Sequence, residues 1–351
     1  MVPGSMPNII LSLTNFFYFC RVMNTKAKII KFTEIMIKIV IVLLGIWILY
    51  KKIFHNQNIT QLMTDLKSSV TTTNNYLLIL FTFLLVPLNI YLEGIKWKAQ
   101  LRPIENISKW KSFLSIFTGM TSGMFFPNRM GSFLGRIFML EKGDRIKAAM
   151  VTIVGGMGQM IATVSIGLLA SIFFVNKNLI PLLIAAITII TLLLIMYFNI
   201  HFLKYFQFLI PRKFKEKTKE YFEIFSLYNK EELLKILTLS FLRYFLYTFQ
   251  FVLLIWAFNI PLNYLEAMIP ISLTYLLMMV IPFITITEIA VRGSVSILVF
   301  EKWLILNNIS SEYGIMVFSA SSLLWIFNIA IPAVLGLFLI HRFKFFRKNE
   351  S

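Results

Sequence analysis

The sequence predicts an all-α polytopic membrane protein, with about six full transmembrane helices plus two oppositely oriented re-entrant helical hairpins in an inverted-repeat arrangement. Three observations carry this prediction. The 351 residues are 58% hydrophobic and 14% charged, and the apolar residues fall in runs too long for a soluble core. Two further apolar runs are broken midway by polar residues and proline. Finally, the basic residues sort onto one side of a membrane only if those two broken runs turn back on themselves.

Along the chain, residues 1–29 read as an N-terminal scar or extension on the cytoplasmic side. The opening MVPGSM precedes a short apolar run, and Met23 with the basic flank NTKAKIIKF makes a natural start. A single transmembrane domain is expected over 30–345. A helix that crosses a hydrocarbon core needs about 20 apolar residues, and runs of that kind fall at 34–50, 76–93, 148–175, 179–199, 236–258 and 315–340. The interrupted segments are 112–140 and 266–305. The arms 112–126 and 129–140 would each be about 20 Å long, enough to reach the middle of a core about 30 Å thick but not to cross it. Pro127 and Pro282 lie near the two turning points, where a missing N–H ends a helix. The stretch 200–235, rich in Lys, Phe and Tyr, reads as a cytoplasmic amphipathic loop resting on anionic headgroups.

Charge decides between topologies. With both broken segments as hairpins and a cytoplasmic N-terminus, the inside segments hold 24 Lys and Arg and the outside segments hold 4. If both segments crossed the membrane, each side would hold 14. The hairpin reading therefore places both termini in the cytoplasm, with 112–140 entering from the cytoplasm and 266–305 from outside. Oppositely entering hairpins, each flanked by full spans, form the arrangement that transporters use to place a substrate near the midplane. The same sorting accounts for the net charge of +18 without nucleic acid. Cys20 stands alone and His55, His201 and His341 lie far apart, so neither a disulfide framework nor a metal site is expected, and no cofactor is implied.

The chemistry concentrates in FFPNRMGSFLGR at 125–136. A polar break at membrane depth must line a protein-enclosed cavity, because unsatisfied backbone groups in lipid cost several kcal/mol each. Arg129 and Arg136 there need an anion, as do Arg243, Arg292, Lys302 and Lys38. The internal carboxylates to answer them are Glu93, Glu288 and Glu301. The excess of cations leaves room for an external anion, and a phosphate suits the guanidinium fork. Arg129 and Arg136 could instead be salt-bridged across the repeat, with Arg136 snorkelling toward the cytoplasm. Glu288 and Arg292 are four apart in EIAVR and should pair within one helix. Arg243 and Gln250, seven apart, should share the interior face of their span. Gly119 with Gly123 and Gly131 with Gly135 form GxxxG pairs that let hairpin arms pack closely. The glycines of GGMGQM at 155–160 read as helix packing, with Gln159 a polar contact. In NIYLEGIKW at 89–97, Lys96 and Trp97 suit an interfacial belt, which leaves Glu93 a weak site candidate.

These residues resemble a known family. PNRMGSFLGR, IPFITITEIAVRG, NIYLEGIKW and RYFLYTFQF, in this order from about residue 30 to 340, resemble the flippase-like membrane domain of the lysylphosphatidylglycerol synthase transmembrane family, in a Bacteroidetes-like form. The resemblance implies a first motif of Pro127, Arg129, Gly131 and Arg136 and a second of Pro282, Glu288 and Arg292. One departure stands out: an acidic residue is expected after the first glycine, and this chain has Ser132. The family's aminoacyl transferase is a separate soluble domain. The chain stops at Ser351, eleven residues past its last span, so that activity is not expected. The resemblance implies translocation of an anionic lipid or lipid-linked substrate, a phospholipid or polyprenyl phosphate, in a bacterial inner membrane. Arg129, Arg136, Asn128, Ser132, Arg243, Gln250, Glu288 and Arg292 are the expected substrate contacts; Pro127, Gly131, Gly135, Pro282 and Gly293 are expected to shape the hairpins. A membrane enzyme acting on a lipid-linked donor and an accessory subunit that scaffolds a partner remain alternatives, and a homo-oligomer is compatible with each.

Overall fold

The computed structural model describes residues 73–124, 126, 131–140, 144–174, 179–202, 219–281, 287–310 and 312–339. Almost all of them are helical, and no strand occurs among the described residues. The expected span 34–50 and the 203–218 part of the loop lie outside these ranges, as do Pro127, Asn128, Arg129 and Pro282.

The first helices, α1 (Thr73–Leu84) and α2 (Val86–Leu101), form one continuous 29-residue apolar span. Pro87 sits in the first turn of α2, where its missing N–H costs least. Next come α3 (Lys109–Gly123), capped by the Ser108 side chain, and the short α4 (Ser132–Phe138). Two apolar helices follow, α5 (Arg145–Ile172) and α6 (Leu179–Phe198). In α6 only Ala186 and Tyr197 are buried; Leu193 and Leu194 pack partly against the core, and most of its other Leu and Ile side chains face outward, as the wall of a bundle in lipid does. The long α7 (Lys230–Ala257) opens with a capping box made by Asn229 and Glu232. Then α8 (Tyr264–Val280) and α9 (Glu288–Leu306) pack on each other. The last span is α10 (Gly314–Trp325), a π-helical turn (Ile326–Ala330) and α11 (Ile331–Leu337).

Five stretches are long and apolar enough to cross a membrane: Thr73–Leu101, Arg145–Ile172, Leu179–Phe198, Lys230–Ala257 and Gly314–Leu337. They coincide with five of the six predicted spans. The two interrupted segments are pairs of shorter helices. In the first, the Thr118 hydroxyl donates to Gly135 O and the Ser122 hydroxyl to Gly131 O, so α3 and α4 run antiparallel. In the second, Ile271 packs in one cluster with Phe300 and Trp303, and Met278 in another with Val291 and Val295. That register makes α8 and α9 antiparallel too. The pairs are unequal, because α4 is only about 10 Å long whereas α8 and α9 reach about 26–28 Å at 1.5 Å per residue.

The core has two main apolar clusters joined by α7. Its first half contributes Leu233, Ile236 and Leu237 to a cluster with Trp97, Leu101, Ile116, Val154 and Ile161. Its second half contributes Phe251, Leu254 and Ile255 to a cluster with Ile271, Phe300, Trp303 and Leu324. Of the predicted 200–235 loop, residues 219–223 form a helical turn that leads into a 3-10 segment at Ile224–Leu227, with Phe225 buried, and residues from Lys230 on already belong to α7. Tyr228 donates its hydroxyl to Gln100 O, and burial pushes its phenol well above the usual range. On α6, the Tyr197 hydroxyl donates to Leu233 O at 3.0 Å and ties that outer helix to α7.

Candidate functional site

Between the two core clusters, near the midpoint of α7, lies a cavity of about 690 Å³. Every part of the bundle except α1, α6, α10 and α11 lends it a wall. Asn89 comes from α2, Met120 and Gly123 from α3, and Ser132 and Arg136 from α4. Further round, α5 gives Gly156, Gln159, Met160 and Thr163, and α7 gives Arg243, Tyr244 and Tyr247. The far side is closed by Tyr275, Met278 and Met279 of α8, Arg292 of α9 and Asn328 of the π turn.

Glu93 is the hub of the charge network behind one wall. Its carboxylate accepts from Arg136 Nη1 at 2.8 Å and lies 2.9 Å from Arg243 Nη1 and 2.8 Å from Lys96 Nζ. Three cations therefore converge on one carboxylate from three helices. The Lys96 ammonium also reaches Gln159 Oε1 at 3.4 Å, and the Arg136 guanidinium lies over the Trp97 ring at 5.8 Å. Arg243 donates from Nε to Asn89 Oδ1 at 3.1 Å and from Nη1 to Gln159 Oε1 at 3.5 Å. Asn89 passes the network on, donating to Asn328 Oδ1 at 2.8 Å. The π turn matters here, because it sits at Asn328, which donates in turn to Leu324 O. Such insertions recur at functional sites.

A second polar group occupies the opposite wall. Arg292 Nη2 donates to Glu288 Oε1 at 2.7 Å, and Nη1 donates to the Tyr247 hydroxyl at 3.2 Å. Tyr247 and Tyr275 pack with ring centroids 5.5 Å apart. The Nε atoms of Arg136 and Arg292 are buried with no hydrogen-bond partner among the described residues. A buried donor left unmade costs about 1–3 kcal/mol, so both arginines hold unspent donor capacity beside the cavity.

The sequence-predicted residues distribute unevenly. Arg136, Ser132, Arg243 and Arg292 line the cavity, and Glu288 reaches it through Arg292. Gln250 does not line it. Seven residues along α7 from Arg243 is about 10 Å of rise, which carries Gln250 out of the cavity into the α1 and α2 contact, where it donates to Thr82 O and accepts from Asn89. Gly135 and Gly131 lie where α3 and α4 touch: an added Cβ would fall 2.2 Å from Thr118 O at the first and 2.6 Å from Ser122 O at the second. Gly293 faces the Phe318 ring of α10 instead.

Lys96 and Trp97 are the clearest departures from expectation. Both are fully enclosed, at 2% and 0% exposure, rather than placed in an interfacial belt. Glu93 answers the positive charge of Lys96 one turn away, and that pairing is what lets an ammonium stay buried. The sequence reading also passed over Asn89, Asn328 and Tyr247. Asn89 lies four residues before Glu93, so the spacing NIYLE already put an amide and a carboxylate on one helix face. Among the described residues no cluster of three His, Cys, Asp or Glu side chains could hold a metal ion.

A helical bundle with five stretches long and apolar enough to cross a membrane is an integral membrane protein. The family follows from the comparison with known proteins. Residues 35–331 match the family described as Lysylphosphatidylglycerol synthase TM region, and the chain belongs to it. No curated protein and no solved structure matches the chain significantly.

Proposed function

We propose that this protein is a flippase-like translocator that binds the anionic headgroup of a membrane lipid or lipid-linked substrate in the central cavity. The observation that carries this reading is the three-to-one ratio of cations to carboxylate around Glu93, on helices drawn from both halves of the chain. A buried excess of positive charge is costly, and an incoming phosphate relieves it. Five methionines and three tyrosines of the wall add apolar and adaptable surface for the remainder of a lipid. In this reading α3 with α4 and α8 with α9 are the two re-entrant hairpins of an inverted repeat, and alternate exposure comes from rocking one half against the other. The protein resides in a bacterial inner membrane with both termini cytoplasmic, and the headgroup leaves chemically unchanged.

Reconstitution into liposomes with fluorescent anionic lipids tests the proposal. The wild-type chain is expected to move such lipids between leaflets faster than empty vesicles do. Arg243→Ala is expected to slow that movement about tenfold or more, the equivalent of one lost charge-assisted hydrogen bond of about 1.5–3 kcal/mol. A rate equal to that of empty vesicles sinks translocation. A covalently altered lipid recovered from the same vesicles would instead favour the membrane-enzyme reading.

Gly156 offers a gentler probe. It lines the cavity, and an added Cβ there would meet nothing within 4 Å. Gly156→Leu should therefore fold with unchanged or slightly raised thermal stability, since leucine favours helix over glycine by about 0.5–1 kcal/mol. Its expected translocation rate is several-fold lower, because the new side chain fills space the substrate uses. An unchanged rate would remove the α5 wall from the substrate path.

A further inference from the structure

We infer that the cavity is matched to a phosphate with two negative charges, a monoester at the end of a lipid, in preference to the singly charged diester of common phospholipids. The inference deepens the translocation reading and rests on it. Arg292 already has its carboxylate, Glu288, at 2.7 Å. Among the described residues Arg136, Arg243 and Lys96 share Glu93 alone, which leaves two positive charges unanswered in that cluster. The guanidiniums cannot shed theirs by losing a proton. In a low-dielectric cavity a monoanion leaves one charge uncompensated, whereas a dianion brings the cluster to neutrality.

Donor geometry points the same way. Arg136 spends Nη1 on Glu93, and its Nε is buried with no acceptor among the described residues. Arg243 spends Nε and Nη1 on Asn89, Gln159 and Glu93, and its side chain is the most open of the three cations at 27% exposure. The remaining guanidinium edges, on α4 and α7, border one cavity, and a terminal phosphate offers three acceptor oxygens where a diester offers two. Ser132 completes the argument. It lines the cavity one turn from Arg136. A carboxylate at that position would answer one of the two charges; the hydroxyl answers none.

Binding to the purified full-length chain decides this, with short-chain phosphatidic acid, phosphatidylglycerol of the same acyl length, and inorganic phosphate as probes. At pH 7 a phosphate monoester already carries most of its second charge, since its second pKa is about 6. Phosphatidic acid is expected to bind about tenfold or more tightly than phosphatidylglycerol, a difference of one charge-assisted contact. Ser132→Asp should bring the two lipids within about threefold of each other, because the added carboxylate takes one charge from the count. That variant tests the count without touching the buried network, and aspartate suits the first turn of a helix. Arg243→Gln should move the ratio in the same direction. Equal binding of the two lipids, or a ratio unmoved by Ser132→Asp, overturns the inference and leaves translocation standing. Inorganic phosphate binding as tightly as phosphatidic acid overturns the lipid carrier. If neither lipid binds and neither is moved in liposomes, the translocation reading falls with it.

Discussion

Glu93→Gln is expected to lower the stability of the protein more than any single substitution of a residue that lines the cavity. The change is isosteric and leaves every helix its length and packing, so its effect isolates charge. It strips the one carboxylate from Arg136, Arg243 and Lys96, and three cations then face one another within the bundle. Removing one partner of a buried ion pair typically costs about 3–5 kcal/mol. Here one carboxylate serves three partners, so the upper end of that range applies. Purified in detergent, the variant should unfold at a markedly lower temperature than wild type or fail to accumulate as a monodisperse species. Phosphate-bearing lipid should restore part of the lost stability, because it supplies the missing negative charge. A melting temperature within a degree or two of wild type would mean that the three cations are solvated rather than dependent on Glu93.

Gly135→Ala should have the next largest effect, through sterics alone. The added Cβ would lie 2.2 Å from Thr118 O, 2.4 Å from Ser122 Oγ and 2.6 Å from Thr118 C, and two of those three atoms are backbone. Neither helix can yield locally, because Thr118 and Ser122 also donate to carbonyls of the 131–135 segment. The pair must separate, which costs about 1–3 kcal/mol for overpacking, and the two hydroxyl bonds lengthen with it. Arg136 follows Gly135 directly, so the displacement should also weaken its bond to Glu93 and slow lipid movement. Thermal unfolding and liposome transport of this one variant should therefore fall together. A loss of stability with transport intact would separate the hairpin contact from the site.

The spans were readable because a run of about 20 apolar residues needs no knowledge of its neighbours. The predicted 76–93, 179–199 and 315–340 match the observed 73–101, 179–198 and 314–337 to within a few residues, except that the first helix continues to residue 101 through buried polar side chains such as Lys96 and Gln100. Arg136, Arg243 and Arg292 could be singled out for the same local reason, a guanidinium in an apolar run. The identity of their partner could not. Glu93 becomes a hub because α2 lies against α3, α5 and α7, and which helices are neighbours is a property of the packed bundle. Lys96 and Trp97 misled for a related reason: a lysine and a tryptophan at the end of an apolar run look alike whether they reach the interface or turn inward. Gln250 shares a helical face with Arg243, but a face is as long as its helix, and periodicity does not say how far along it a cavity extends.

The π turn at Ile326–Ala330 sets the angular phase of everything after it. Gly336 lies against α3, with an added Cβ only 2.3 Å from Phe117 O, and the Thr121 hydroxyl donates to Ala333 O at 2.6 Å. Asn328, inside the turn, must meanwhile hold Asn89 across the bundle. Dropping one residue to recover a regular α-helix would swing the following seven residues by about 100° and aim a different side chain at Phe117. The chain can satisfy both contacts only with its present residue count between them. This segment should therefore be closed to insertions and deletions over evolutionary time, even where its individual side chains are free to drift.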